Sequence, residues 1–420
     1  MHTLLYYDPG HFHAALTLRN ANVRVATDVH LYAHPGPDRE GFLGLVDDFN
    51  SRGTTPTRWR VHVHGADDLL SRLIDERRGD VVVLAGKNAD KLATIARLHE
   101  AGFNVLADKP WLTSSAALPD LRRVTSGAPL AMDIMTERHE ILARLRQRIV
   151  STPHLFGQFI QEADRPAIEI ASLHHLYKVV NGRPLERPWW YYDVATQGDG
   201  LVDIQSHLTD QVQWMISAEN PNDFDRDVEL LAARRWSTPV PLALYRDSTG
   251  QSEFPQALCT YVSDDILELP CNGEIEYRLN GIRVRQRAEW GQREPPGTGD
   301  RHPCTIRGTR CNLVVRHGPE TGYTAELDVE ANAGVDIERD LRNAMADWQG
   351  DFPGLGIEGS NDVLRVTIPD TLRSTHESHF AMVLENFLDY VDAGRWPHWL
   401  TRGIRMRYEL LARSRELALR

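Results

Sequence analysis

At 420 residues the chain is too long for one ordinary core and is expected to form two domains. Its formal charge of −12 argues against a general nucleic-acid-binding face and against attachment to an anionic membrane surface. No apolar run is long enough to cross a bilayer and the first residues lack a basic leader pattern, so the expectation is a cytoplasmic protein. Cys259, Cys271, Cys304 and Cys311 form no C-x-x-C pair, which gives no zinc site and predicts reduced thiols.

Thr3 to Tyr7 reads as a strand, followed by the turn Asp8-Pro9-Gly10-His11 and a helix from Phe12 to Asn20. Strands are predicted at Asp28 to Ala33, Arg60 to His64, Asp80 to Ala85 and Phe103 to Ala107, with helices at Phe42 to Asn50, Asp67 to Glu76 and Lys91 to Ala101. The run Val81-Val82-Val83-Leu84 has the unbroken apolar character of a strand buried on both faces. Regular alternation of strand and helix implies parallel pairing with right-handed crossovers, and ligands beyond the carboxyl ends of the strands. Residues 1–131 are therefore expected to form a Rossmann-like, doubly wound α/β domain.

The phosphate loop of such a domain follows G-x-G-x-x-G, and its three positions here are Asp8, Gly10 and His13. Only the middle glycine is kept; Gly10 lets the backbone approach a phosphate, but taken alone this loop does not point to a cofactor. Tyr32-Ala33-His34 offers no carboxylate to a ribose, so neither NAD nor NADP is favoured.

Residues 132–420 are expected to be an α+β domain with a large, mainly antiparallel sheet. Helix is predicted at Glu137 to Val150 and strand at Leu155 to Glu162. Alternating runs follow at 257–262, 273–279, 282–287, 312–317, 321–329 and 363–368. Two helices close the chain, at about 377–393 and 401–419. The segment Gly198 to Asp210 stands at its centre and reads as helix after two glycines. Asp203, His207 and Asp210 fall at i, i+4 and i+7, which places them on one face. A histidine between two carboxylates suits proton transfer. The same residues, with His174 or His175, are chemically suitable metal ligands, but the spacing is not a metal signature and no metal is expected.

These motifs carry a resemblance. Asp108-Lys109-Pro110 after the fifth strand resembles the E-K-P signature of the Gfo/Idh/MocA oxidoreductases. Asn88 matches a cofactor-holding asparagine, and Asp203-x-x-x-His207 matches the catalytic Asp and His of that family. Met135 to Glu140, His174 to Lys178 and Arg187 to Asp193 resemble a subgroup with its own C-terminal domain. The resemblance implies a cytoplasmic NAD or NADP oxidoreductase that moves a hydride between nicotinamide and a secondary alcohol of a sugar or cyclitol. It implies catalytic roles for Lys109, Asp203 and His207, and cofactor contacts at Gly10, His11, Phe12, His13, Asn88 and Lys109. It also implies a homo-oligomer assembled through the C-terminal sheet. His175, Lys178, Trp190, Tyr192 and Asp210 are the expected substrate contacts, the aromatic faces being suited to a sugar ring. Two alternatives share the fold: an NAD-dependent redox-cycling glycosidase or lyase, and a non-catalytic sugar sensor.

Overall fold

The computed structural model describes residues 1–162, 164–180, 183–360 and 362–420. The chain folds into two compact units. One comprises Met1–Thr136, Ala195–Gly198 and Thr375–Ala412, the other Glu137–Val194, Asp199–Ser374 and Arg413–Arg420.

The first unit is built on six parallel strands: β1 (Leu4–Tyr7), β2 (Asp28–Tyr32), β3 (Arg60–His64), β4 (Val81–Leu84), β5 (Asn104–Ala107) and β6 (Ala131–Asp133). Their spatial order is β3-β2-β1-β4-β5-β6, the doubly wound dinucleotide-fold order. All four residues of β4 are buried, as its continuous apolar run demands. The crossovers are α1 (His13–Leu16), α2 (Pro37–Ser51), α3 (Leu69–Glu76), α4 (Lys91–Glu100) and α5 (Leu118–Val124). Pro37 opens α2 at a position where a missing N–H costs nothing. Asp68 caps α3 by accepting the Ser71 N–H.

Helix α1 is shorter than the expected span from Phe12 to Asn20. Thr17 Oγ1 donates to the Ala14 carbonyl at 2.8 Å and pairs with Tyr6 Oη at 2.7 Å. The chain beyond it tightens into i→i+3 bonds at Leu18 and Arg19. The domain division also differs from the expected break at 131. Residues 375–412, assigned from sequence to the second domain, belong to the first unit. Their helices, α13 (His376–Ala393) and the bulk of α14 (His398–Ala418), bury Phe380, Val383, Leu384 and Phe387, and α13 packs on α1 and β5.

The second unit holds a ten-stranded sheet. Its strands are β7 (Ile168–Tyr177), β10 (Val228–Pro241), β11 (Val262–Ser263), β12 (Ile266–Leu279), β13 (Ile282–Arg293), β14 (Cys304–Arg307), β15 (Cys311–Arg316), β16 (Glu326–Ala331), β17 (Gly356–Ser360) and β18 (Val363–Thr367). The order is β10-β12-β13-β7-β14-β15-β16-β18-β17, with β11 against β12. Pairing is antiparallel except between β7 and β13. A short ladder joins β8 (Val179–Val180) to β9 (Arg183–Pro184). Among the described residues this unit also carries helices α6 (Ile141–Val150), α7 (Pro153–Phe156), α9 (Gln205–Ser217), α10 (Phe224–Asp227), α11 (Leu242–Thr249) and α12 (Glu338–Asp347), while α8 (Val194–Gln197) lies mostly in the first unit.

Side chains alternate along β12, so Ile275, Tyr277 and Leu279 are buried while Glu274, Glu276 and Arg278 are half-buried on the other face. That second face is laced with ion pairs, including Arg285 to Glu276 at 2.8 Å and Arg307 to Glu169 at 2.6 Å. The expected strand at 155–162 is instead α7 followed by a single bridge at Phe159, because Pro153 sets the first helical turn. Residues 256–261 form a 3-10 turn rather than a strand. The four cysteines are free thiols, and burial pushes those of Cys271 and Cys311 up to about 12. Among the described residues no helix is long and apolar enough to cross a membrane.

Candidate functional site

In the first unit the turns after β1, β4 and β5 meet at the carboxyl end of the sheet. Strand order reverses at β1, and the crevice between β1 and β4 is where this fold takes ligands. Gly86, just past β4, is there because a Cβ would lie 2.7 Å from the Asp8 carbonyl oxygen and 3.0 Å from Gly10 N. The turns thus pack backbone against backbone. The N–H groups of Gly10 and His11 donate to the Ala85 carbonyl at 3.0 and 3.1 Å. These two donors therefore serve the loop framework, where the family resemblance implied cofactor contacts. Asp8 adopts φ +39 and donates its N–H to the Tyr32 carbonyl.

His13 fills the place of the third glycine and is buried. Its Nδ1 lies 2.9 Å from Asp108 Oδ2, and His11 Nδ1 lies 3.8 Å from the same oxygen. Phe12 is exposed and its ring contacts both histidines. Asn88 is buried: its N–H donates to the Thr196 carbonyl, its Nδ2 donates to the Gln197 carbonyl at 2.8 Å, and its Oδ1 accepts from Lys91 Nζ. Lys91 Nζ also reaches the Asp108 carbonyl at 3.0 Å. Lys109 follows on a cis bond to Pro110, half-buried, and its N–H donates to Asp108 Oδ1 at 2.9 Å. Burial alone would raise the Asp108 carboxyl, but His13, Lys91 and His11 outweigh it and hold the group well below the usual carboxylate range. Burial lowers the His13 imidazole, against the opposing pull of Asp108.

In the second unit, Asp199 to Asp210 forms a turn and the start of α9. Asp203 precedes the helix and is buried; His207 sits in its first turn, its N–H bonded to the Ile204 carbonyl. The expected helical face therefore begins one turn late. Asp210 accepts two bonds from Arg138, at 2.8 and 2.7 Å, and so anchors α9. Asp199, which the sequence reading passed over, is the buried pivot of the turn. Its Oδ2 accepts from Arg235 and Arg415, both at 2.8 Å, and its Oδ1 from the Leu201 N–H. Its signal was only the pair of glycines around it.

Alternation along β7 sends His174 and His175 to opposite faces. His174 Nδ1 lies 3.0 Å from Asp300 Oδ2, its Nε2 lies 2.7 Å from Ser172 Oγ, and its ring stacks on Trp290. Lys178 Nζ is 2.7 Å from the same Asp300 oxygen, so the expected substrate lysine is held in an ion pair. His175 is buried, and burial lowers its pKa. Trp190 and Tyr192, the expected sugar platform, are both buried; Tyr192 joins a core cluster with Tyr245 and bonds Ser248 Oγ at 2.5 Å. The 3-10 turn Trp189–Tyr192 faces these two rings inward and leaves Trp189 exposed.

A doubly wound parallel sheet joined to a ten-stranded mixed sheet defines the class: a two-domain protein of dinucleotide-fold type. The family profile described as "Putative oxidoreductase C terminal domain" matches residues 145–419, and the chain belongs to that branch of the Gfo/Idh/MocA oxidoreductases. A crystal structure of a putative oxidoreductase from Parabacteroides merdae is 36% identical, with a TM-score of 0.96 over 100% of this chain and 97% of that one. A levoglucosan dehydrogenase in complex with NADH and levoglucosan shares the fold at 13% identity, with a TM-score of 0.62 over 99% of this chain and 96% of that one. A 3-ketoreductase from Actinomadura kijaniata, in complex with NADP and TDP-benzene, does so at 13% identity and a TM-score of 0.58 over 99% and 97%. Among curated proteins none matches the chain.

Proposed function

We propose that the protein is an NAD(P)-dependent oxidoreductase acting on a secondary alcohol, or the matching ketone, of a sugar or cyclitol. The observation that carries this reading is the place of Asp108-Lys109-Pro110 at the carboxyl end of β5, beside the switch-point crevice, in a chain of this family. The crevice suits a dinucleotide in topology, lying where the strand order reverses between β1 and β4. Gly10, His11, Phe12, His13, Asn88 and Lys109 would bound the cofactor, with side chains carrying more of the contact than in a glycine-rich loop. The sugar ligand of the levoglucosan dehydrogenase and the reaction named for the 3-ketoreductase support the substrate class.

A nicotinamide held there would supply the redox chemistry, taking up or giving the hydride. His207 takes the hydroxyl proton on an imidazole nitrogen during oxidation and returns it during reduction. Asp203 orients that imidazole. Lys109 Nζ donates to the reacting oxygen and favours its alkoxide character. Asp210, Lys178 and Tyr192 act through the frame: Asp210 by holding α9, Lys178 by holding Asp300, Tyr192 by core packing. We place self-association on the charged face of the large sheet.

The test is titration of tag-free protein with NADH and NADPH, followed by nicotinamide fluorescence, after assay for cofactor carried through purification. Saturable binding of either is expected, followed by turnover in a panel of sugars and cyclitols. Release of an aglycone without accumulated NAD(P)H would assign the redox-cycling version. No binding and no carried cofactor would refute the proposal.

A further inference from the structure

We propose that His11, His13 and Asp108 form a binding site for a divalent cation of the zinc class, Zn2+ or its substitutes Co2+ and Ni2+. This goes beyond the redox reading and does not rest on it. One ligand atom from each residue lies within 4.8 Å of the other two. Both imidazoles address one oxygen, Asp108 Oδ2, from His13 Nδ1 at 2.9 Å and His11 Nδ1 at 3.8 Å. The two rings meet at 87° with centroids 4.0 Å apart, so they converge edge to face rather than stacking.

Tetrahedral zinc has bonds of about 2.0–2.1 Å to nitrogen and oxygen, which puts neighbouring ligand atoms about 3.3 Å apart. The two observed separations straddle that value, and side-chain shifts of about half an ångström would reach it. Two imidazoles and one carboxylate select zinc, cobalt or nickel over calcium and magnesium, which favour oxygen ligands. Three protein ligands leave a fourth position for water or an anionic oxygen, the pattern of an open rather than a closed zinc site.

The surroundings hold the ligands in place. Asp108 Oδ1 accepts the Lys109 N–H, and the Asp108 carbonyl accepts from Lys91, so Oδ2 is the oxygen turned to the histidines. The Phe380 ring packs on His13 with centroids 4.5 Å apart, and His376 lies beyond. Side-chain exposure falls from 23% at His11 to 11% at His13 and 7% at Asp108, which marks the His11 side as the entry path. The site lies at the carboxyl ends of β1 and β5, on either side of β4.

The experiment uses tag-free full-length protein, stripped with a chelator and titrated with Co2+ in the absence of NAD(P)H. One equivalent is expected to give the intense visible absorption of four-coordinate cobalt, bleached by Zn2+. Competition with a chromophoric chelator then gives the zinc affinity. His11→Gln and Asp108→Asn should each weaken it at least tenfold, while His34→Gln, at an exposed histidine elsewhere in the unit, should leave it unchanged. Should Asp108→Asn fail to fold, His11→Gln carries the test, since His11 is the most exposed of the three. Absence of a stoichiometric cobalt spectrum in the wild type would overturn the proposal, and so would wild-type affinity in a folded His11→Gln. Saturable NADH binding together with no stoichiometric cobalt binding overturns the metal site alone; stoichiometric cobalt binding without nicotinamide binding overturns the redox reading alone.

Discussion

Gly200→Ala places a methyl group into the backbone of β12. A Cβ at Gly200 would lie 2.5 Å from Asn272 N, and nearer still to the carbonyl of that residue, where ordinary contact begins at 3.4 Å. The obstacle is reciprocal, since a Cβ at Gly273 would lie 2.6 Å from the Gly200 carbonyl carbon. The strand cannot yield. It is laddered to β10 and β13, and Asn272 is bonded to Trp236, Thr238 and Trp290. The turn must therefore move, and with it Asp199, Asp203 and His207. Overpacking usually costs about 1–3 kcal/mol, and with backbone on both sides the expectation is the upper end, about 3 kcal/mol. Urea unfolding followed by tryptophan fluorescence should show this loss, with a fall in turnover measured on the folded fraction. Gly41→Ala is the control: it lies inside α2 with open space at its Cβ, and should stabilise by up to about 1 kcal/mol. A Gly200→Ala protein within about 0.5 kcal/mol of wild type, with unchanged turnover, would refute the reasoning.

Three further outcomes are expected. Arg407→Met leaves the Asp133 carboxylate buried without the guanidinium that holds it at 2.8 Å; the loss should be about 3–5 kcal/mol, largely recovered by adding Asp133→Leu, and a loss below about 1 kcal/mol would contradict the assignment. Burial first, then Arg144 and Arg138, lower His139 to about 4. The unfolded chain therefore takes up this proton first, and stability is lost as pH falls from about 6.5 to 4, by about 2 kcal/mol after allowing for partial exposure. His139→Asn should flatten that slope in urea midpoints taken at pH 7 and 4.5; an unchanged slope would count against it. Finally, His207→Ala and Lys109→Ala should each lower turnover at least a hundredfold while leaving nicotinamide affinity within a few fold, and near wild-type turnover in either would remove it from the chemistry.

Much of the first unit could be read from residues alone. The unbroken Val81 to Leu84 run marks β4 through burial, the helix expected at Lys91 to Ala101 matches α4 to within a residue, and the expected bounds of β3 match to the residue. The second sheet was harder. Strand β10 mixes arginines, alanines and two prolines, and its register shifts at Leu230/Ala232 and Trp236/Thr238 break any period of two. Strand β7 holds its alternation in Ile168 and Ile170, but His174 and His175 near its end interrupt the apolar pattern and draw attention as a motif. In the site, the types of residue were legible and their partners were not. His13 and Asp108 are 95 positions apart and meet because β1 and β5 flank one strand. Arg138 is 72 positions from Asp210 and decides that this carboxylate is an anchor. The rings of Trp190 and Tyr192 were readable as aromatic; which way a short 3-10 turn faces them is set by the core around Tyr245.

The return of α13 to the first unit has a consequence for how the chain is made. A ribosome releases the whole parallel sheet, then all of the long mixed sheet, before it delivers the helix whose Phe380 covers His13. Until then the α1 side of the sheet lacks its cover, so a chain arrested before residue 375 is recognisable as incomplete however well its strands have paired. The same geometry makes the order of synthesis editable. A circular permutant that starts at residue 375, with residue 420 joined by a linker to Met1, would translate the cover first, and His2 would then meet Asp392, 2.9 Å away near the end of α13, on a helix already made.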